Sequence, residues 1–380
     1  MTLSLLNRSR AVLHNYAPGF DARLADIAFA EREASHSDVV ALFKQHGPVG
    51  LLVNRAGGGL GAGILDAVHV QIALGARSPS LAVASTMHQF SVASLLALTQ
   101  NGGGAEGLLL AAVAQNRLLL SSGFAEGNAG AGILDSNMQA VQTPEGVLLS
   151  GSKKPCCLGQ SMDLLTASYS RQGVDGEELM VALIPANAPG ISRAPFWQNS
   201  ALAAAESIEV RLNEVFVPER MVFSAGYKHL LGDVQTVGFI WFELLICASY
   251  VGTCAGLIET VTDAARWTAH HRVDLAAHLQ LAITALEGAA LDVERNPHDL
   301  HTVLARLLLV RYGIEQLLNQ LSDEAHAMLG GMAFITNNQS SNWLMACRGL
   351  QFHPPAKISM ATNLDCYLSQ STFSIAGVKP

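Results

Sequence analysis

The sequence predicts an α+β fold in which helical and β parts follow one another instead of alternating. Apolar residues recur at helical spacing over residues 1–118, short apolar runs separated by turn residues fill 119–223, and long helical patterns return over 224–380. A chain without βαβ alternation is not expected to form a doubly wound parallel sheet. We therefore predict an N-terminal helical domain, a middle β-domain and a C-terminal helical domain.

The composition limits the classes of function. Only 14% of the 380 residues are charged, half are apolar, and the formal net charge is −8. Disordered chains and charged coiled coils carry far more charge, and a nucleic-acid-binding protein is expected to be basic. A chain of this kind must bury most of itself in a membrane, in a large compact body or in an oligomer.

The N-terminal part is predicted to consist of helices joined by loops. Helical faces are predicted at 11–13, 24–29, 39–43, 64–74 and 81–98. The segment Gly57–Ala62 matches a loose G-x-G-x-x-A dinucleotide pattern, but Arg77 and Ser78 stand where that motif needs an acidic residue. We expect a loop between two helices at this segment.

The middle part is predicted to form strands. Its apolar runs include Gly146–Gly151, Leu179–Ile184 and Ile208–Val217, and Gly, Pro, Asn and Asp residues separate them. These runs are predicted to be strands joined by turns.

Four long helical patterns follow, at 237–271, 275–293, 299–329 and 356–369. Within the first, Val237–Ile258 holds 22 residues with one charge, Glu243, and is long enough to span a bilayer. It is the single segment of its kind that the sequence suggests, and it lacks basic flanks. We therefore predict a buried core helix and no membrane association.

The cysteines and the N-terminus favour a cytoplasmic protein without a metal. The six cysteines lie in apolar surroundings without CxxC or Cys/His spacing, so they are predicted to be buried thiols in a reducing compartment. The N-terminal residues do not follow the pattern of a signal peptide.

Several motifs, in order, resemble those of the acyl-CoA dehydrogenase superfamily over nearly the whole chain. Gly47–Gly61 resembles the early glycine-rich loop, Ser80–His88 the helix after it, and Val215–Pro218 the strand-ending DVxVP. The remaining correspondences are Phe124–Gly130 with TEPxAGSD, Ser150–Asp163 with NGxKxFITNGxxAD, and Leu329–Gly331 followed by Arg348 with LGGxGY and RD.

This resemblance implies the family's architecture and cofactor. The middle domain is then β-barrel-like, the C-terminal domain is a four-helix bundle, and the protein is a homotetramer or homodimer. The cofactor is FAD, or alternatively FMN, held where the β-domain meets the helices. The implied cofactor-binding residues are Phe124, Ala125, Gly130, Ala131, Cys156, Cys157, Arg272, Gln280, Gly330 and Gly331.

The flavin motifs depart from the family pattern at three places. Ala125 and Cys157 stand where the family has flavin-contacting threonines, so two hydroxyl donors are lost. Arg272 and Gln280, which correspond to residues that contact the pyrophosphate of a partner subunit's FAD, are kept in a shortened segment without the usual Phe-Gly pair.

The family's catalytic glutamate is missing from both of its usual positions. The late segment Gly349–Ser359 contains no carboxylate, and the alternative helix position is Ile246. Glu243 precedes Ile246 by one helical turn, and burial would raise its pKa toward a value useful for proton transfer. We predict Glu243 as the general base. The alternative is a glutamate that pairs with an arginine in the helical core.

His353 is the second catalytic candidate. It precedes Pro354 and Pro355 in the late segment, where an imidazole could act as a base or as a hydrogen-bond donor to the substrate or to a flavin adduct. A capping or surface role is the alternative. Tyr250, Ile246 and His88 are the predicted substrate-binding residues, although a structural role is also open for His88.

Three functions are compatible with the sequence. The first is α,β-dehydrogenation of an acyl thioester on CoA or on an acyl-carrier protein, with an electron-transfer partner, in specialised metabolism. The second is a monooxygenase on the same fold that takes reduced flavin from a separate flavin reductase and hydroxylates carbon, nitrogen or sulfur. The third is a non-catalytic binding protein with a decayed flavin site.

Overall fold

The computed structural model describes residues 4–99, 105–128, 134–228, 230–262, 268–370 and 373–375. It confirms the predicted order of helical, β and helical parts. The N-terminal helices are α1 (Asn7–Tyr16), α2 (Phe20–Ala25), α3 (Phe29–Arg32), α4 (Val39–His46), α5 (Ile64–Arg77), α6 (Pro79–Thr99) and α7 (Ala105–Gln115). Residues 57–62 form part of the loop between α4 and α5, and no strand precedes them at 49–53.

Two sheets make up the middle of the chain. Their strands are β1 (Leu120–Gly123), β2 (Gln139–Thr143), β3 (Gly146–Cys156), β4 (Leu164–Gly173), β5 (Gly176–Pro185), β6 (Ile191–Ala194), β7 (Ile208–Pro218), β8 (Val222–Tyr227) and β9 (Leu230–Leu231). One sheet has the order β1-β4-β5-β8-β9 and the other β2-β3-β7-β6. Only the β1–β4 pair among these is parallel. Alternate side chains of both sheets meet in a shared apolar core.

The C-terminal helices are α8 (Asp233–Val261), α9 (Ala269–Arg295), α10 (Leu300–Ala327), α11 (Gly330–Thr336), α12 (Asn338–Cys347) and α13 (Lys357–Gln370). The four predicted helical patterns correspond to α8, α9, α10 and α13. Two boundaries differ from the predictions. Strands β8 and β9 continue beyond residue 223, and the first long helix ends at Val261 instead of 271.

Helix α8 lies at the centre of the molecule and packs against α5, α6, α10 and α12. Both α6 and α8 are long and apolar enough to cross a membrane. In their most apolar stretches, however, 72% of the residues of α6 and 89% of those of α8 are buried inside the protein. The sequence had suggested only one such segment. The burial of α8 is that of a core helix that is apolar on all sides.

Candidate active site

A cavity of about 470 Å³ lies where the three parts of the chain meet. Helix α6 lines one side, strands of the β1–β9 sheet line the second, and α8 with residues 345–354 lines the third. Most of the lining is apolar and includes Met87, Phe90, Leu95, Phe124, Phe239 and Phe242. Such a cavity suits a planar or aliphatic ligand and has few groups to orient it.

Aromatic rings form a continuous row along the cavity. The ring centroid of Phe90 lies 6.3 Å from that of Phe124 and 5.4 Å from that of Phe242. The Phe242 ring in turn lies 6.1 Å from the imidazole of His353, which lies 5.5 Å from the Tyr250 ring. The row therefore joins the β-domain wall to the late segment that carries His353.

His353 and Tyr250 form the polar group at the end of this row. The Tyr250 hydroxyl is hydrogen-bonded to His353 Nε2 at 2.9 Å, and both residues line the cavity. Burial, together with the nearby Arg311 cation, lowers the pKa of His353 to about 3. Burial raises the pKa of Tyr250. Both side chains are therefore neutral near pH 7.

The turn that carries His353 is held by Arg311 of α10. Its guanidinium donates to the carbonyl oxygens of Leu350 at 3.1 Å, His353 at 2.6 Å and Pro355. The hydroxyl of Tyr312 also donates to the Pro355 carbonyl, at 2.9 Å. The late segment is thus fastened to the helical core by side chains that the sequence reasoning had not identified.

Glu243 lies away from the cavity. Its side chain is completely buried between α8 and α10, with Oε2 3.1 Å from Nε of the equally buried Arg311. Burial raises the pKa of Glu243, while the adjacent Arg311 cation opposes this rise and favours the ionised form. This geometry argues against the predicted role as a general base, because the carboxylate has no access to a ligand. It matches the alternative of a core ion pair.

A second buried ion pair stands in the β-domain wall. Lys153 Nζ is 2.7 Å from Glu126 Oε1, and Glu126, which lines the cavity, also accepts from the Ser136 hydroxyl at 2.6 Å and the Asn137 amide at 2.8 Å. Burial raises the pKa of Glu126, but these hydrogen bonds outweigh it and the net pKa is lowered. This carboxylate is therefore ionised and its oxygens are already engaged.

The predicted cofactor-binding residues fall into four groups. Phe124, Ala125 and Cys157 line the cavity, and Cys157 Sγ is 3.1 Å from the Ser207 hydroxyl. Cys156 is buried in the core between the sheets instead. Gly130 and Ala131 lie outside the described residues. The four predicted positions on the C-terminal helices, which do not line this cavity, are Arg272, Gln280, Gly330 and Gly331.

Of the predicted substrate-binding residues, Tyr250 alone lines the cavity. Ile246 is completely buried in the helical core. His88 is also completely buried, and both ring nitrogens are used: Nε2 lies 2.9 Å from the Val49 carbonyl oxygen, and Nδ1 accepts from the Leu120 amide at 3.1 Å. This placement contradicts a role for His88 in substrate binding, because no polar atom of the ring is left for a ligand.

The chain has a characterised relative of nearly the same length. The isobutylamine N-hydroxylase of Streptomyces viridifaciens is 41% identical over 376 residues, which cover 97% of this chain and 99% of the relative. No protein-family model matches the chain.

Solved structures resemble the whole chain at low sequence identity. The nitrososynthase from Micromonospora carbonacea var. africana has a TM-score of 0.82 at 18% identity and covers 97% of both chains. The FMN-bound TdsC from Paenibacillus sp. A11-2 has a TM-score of 0.81 at 17% identity, covering 97% of this chain and 99% of that one. At these identities the likeness establishes that the fold is shared.

Proposed function

Because the chain belongs to the acyl-CoA dehydrogenase superfamily and, within it, to the family of the isobutylamine N-hydroxylase, we propose that it is a reduced-flavin-dependent monooxygenase that N-hydroxylates small primary aliphatic amines. The observation that carries this proposal is the apolar cavity that holds a neutral His353–Tyr250 pair. Flavin-dependent oxidoreduction is common to the family, whereas the amine substrate is the proposed part.

The residues around the cavity fit a flavin. Ala125 and Gly127 are small enough for their backbone to approach a ring closely, and the Phe90–Phe124–Phe242 row offers flat apolar surfaces. Ser122 and Thr166 also line the cavity, but the Thr166 hydroxyl already donates to the Ser121 carbonyl at 3.1 Å. Ser122 therefore offers a hydroxyl of the kind lost at Ala125 and Cys157. FMN is the bound flavin in TdsC, and we infer that FMN serves here as well as FAD.

The proposed reaction is balanced without any further oxidant. One oxygen atom of dioxygen is inserted into an N–H bond of the amine, and the other is reduced to water. Reduced flavin, when bound, would supply the two electrons and two protons that this requires. We infer that a separate reductase supplies the reduced flavin. The amine must be neutral to act as a nucleophile, and the apolar lining favours its neutral form over the ammonium.

His353 suits an orienting role better than a basic one. With a pKa of about 3 it is too weak a base to deprotonate an ammonium group. A neutral imidazole, however, carries one N–H donor and one acceptor, so it can direct the amine or the incoming oxygen by a hydrogen bond. Tyr250 holds one of these nitrogens and thereby limits the ring to a defined orientation.

The carboxylates of the site favour N-hydroxylation over acyl thioester dehydrogenation, which was the first expectation from the sequence. An α-proton base requires a free carboxylate in the cavity. Among the described lining residues, the carboxylates are Glu126, which is paired with Lys153, and Asp135, which lies 4.0 Å from Lys228. Neither is placed on the helical side that carries Tyr250 and His353.

The proposal is tested by turnover with isobutylamine, FMN or FAD, NADH, a flavin reductase and ¹⁸O₂. We expect a hydroxylamine that carries one labelled oxygen atom. His353→Gln should lower kcat by about 10²-fold, in the range of a lost catalytic proton or hydrogen-bond partner. The matched control is His270→Gln, because His270 is an exposed histidine on α9 that should leave turnover unchanged.

Two results would contradict the proposal. One is the absence of labelled product across small primary amines when reduced flavin is supplied. The other is bleaching of the oxidised, flavin-loaded protein by acyl thioesters without oxygen, which would favour acyl thioester dehydrogenation as the function.

A further inference from the structure

We infer that Glu243 and Arg311 form a positioning pair, which fixes His353 in the cavity through the backbone of the turn that carries it. Neither residue lines the cavity, so both act through His353 and not on a ligand. The inference rests on the role of His353 proposed above, but its geometric part can be measured without turnover.

The hydrogen bonds of Arg311 stabilise one backbone conformation of the turn that carries His353. Its two terminal nitrogens reach the carbonyl oxygens of three residues, Leu350, His353 and Pro355. These carbonyls converge on one planar guanidinium only while the turn keeps its present course. A lysine has a single ammonium group and cannot reproduce this fork.

Glu243 pairs with one nitrogen of the Arg311 guanidinium and leaves the other two for the turn. Arg311 is completely buried, and a buried cation is costly without an opposite charge beside it. The Glu243 carboxylate stands 3.1 Å from Nε, whereas the turn is contacted by the two terminal nitrogens. The terminal nitrogens are therefore left to the three carbonyls.

Helix α8 contributes to both anchors of His353, directly through Tyr250 and indirectly through Glu243. Glu243 and Tyr250 are seven residues apart, which is two helical turns, so they lie on one face of α8. Glu243 acts on the His353 backbone through Arg311, while Tyr250 holds the ring at Nε2. The histidine is thus fixed at two points, at its ring by α8 and at its backbone by Arg311 of α10.

If the ion pair had a purely structural role, the double variant would behave differently. Replacing a buried pair by apolar residues often restores stability, whereas removing one partner leaves a costly unpaired charge. If the pair only stabilises the core, Glu243→Leu combined with Arg311→Met should restore stability and turnover together. If the pair positions His353, stability should recover relative to Arg311→Met alone while His353 remains displaced.

The experiment compares Glu243→Gln, Arg311→Lys and the double variant Glu243→Leu/Arg311→Met. The protein is labelled with ¹⁵N-histidine, and His353 resonances are assigned by their absence in His353→Gln. We expect shifted or broadened His353 resonances in each variant, and at least a tenfold lower kcat with less than a threefold change in the KM for the amine. Arg306→Met is the matched control, since Arg306 is on the same helix in a half-exposed pair with Asp292.

The outcomes separate this inference from the proposed function. Unchanged His353 resonances in Arg311→Lys and in the double variant would overturn the inference whatever the turnover. Displaced resonances with unchanged kcat would overturn it as well. Displaced resonances in a protein whose wild type hydroxylates no amine would support the positioning geometry and reject the proposed function.

Discussion

Two histidines show how one residue type serves two purposes in this protein. His353 lines the cavity with Tyr250 as its partner, while His88 joins the Val49 carbonyl to the Leu120 amide. Burial lowers the pKa of both. The sequence could place His353 near a ligand through the motif order. It could not show that both nitrogens of His88 are occupied, because those partners lie far from it in the chain.

His88 should make the fold sensitive to acid. Its folded pKa of about 4 lies below the ordinary 6.5, so the unfolded chain binds more protons between these values and stability is lost as pH falls through that window. The loss at pH 4 is about 3 kcal/mol for this residue. His88→Gln keeps a donor for Val49 but cannot titrate, so its free energy of unfolding should depend less on pH from 6.5 to 4.

Denaturant unfolding at several pH values measures this difference. At pH 7.5 the variant should be less stable by about 1 kcal/mol, because the Leu120 amide loses its acceptor. An unchanged pH slope would show that His88 is not the group that loses stability in acid.

Glu243 marks the limit of sequence reasoning at the residue scale. The apolar composition of its segment correctly predicted a buried carboxylate. Its function depended on the position of Arg311, which comes from α10. A pattern within one helix cannot show which side chain of another helix will face it.

At the scale of elements, periodicity and composition predicted the long helices and the β character of the middle part, and they located β3, β5 and β7. They did not locate the other strands, and they missed α7, α11 and α12. Helices α11 and α12 are short and rich in Gly, Asn and Ser, which favour turns and caps over helix interiors. Helix α12 packs against α8 and α10, a tertiary contact that the local sequence does not encode.

The crossing of α5 and α8 depends on glycine. A Cβ atom on Gly252 would collide with the backbone carbonyl of Ile72, so the two helices approach closer than side chains allow. Gly252→Ala should lower the free energy of unfolding by about 2–3 kcal/mol, the cost of an overpacked core. Gly288→Ala lies in α9, where no described residue beyond the helix's own nearby backbone comes within 4 Å of the added carbon, and it should raise this free energy by about 0.5–1 kcal/mol.

Chemical denaturation of both variants tests the close approach. Equal effects of the two substitutions would mean that helix propensity alone decides stability at Gly252. The cavity gives a second readout, because α8 carries Tyr250 only two residues from this crossing. Gly252→Ala should therefore also reduce turnover, whereas Gly288→Ala should not.

At the scale of the whole molecule, exposed apolar side chains of the C-terminal part bear on assembly. They include Met332, Phe334 and Ile335 of α11 and Phe352 of the late turn. The homo-oligomer implied by the family resemblance would bury such residues, and it remains a prediction. Its size is measured by light scattering of the purified protein.

The three parts of the chain share one cavity, so flavin binding should stabilise all of them together. A ligand that binds only the folded state at 100 times its Kd adds about 2.7 kcal/mol to the free energy of unfolding. We expect FMN to raise the melting temperature and to slow amide hydrogen exchange at once in α6, in β1 and β4, in α8 and in residues 348–354. Adenosine monophosphate, which lacks the flavin ring, is the control and should change neither. Protection confined to the β-domain would place the flavin outside this cavity, because the Phe90–Phe124–Phe242 row spans all three parts and a ring seated there must touch each of them.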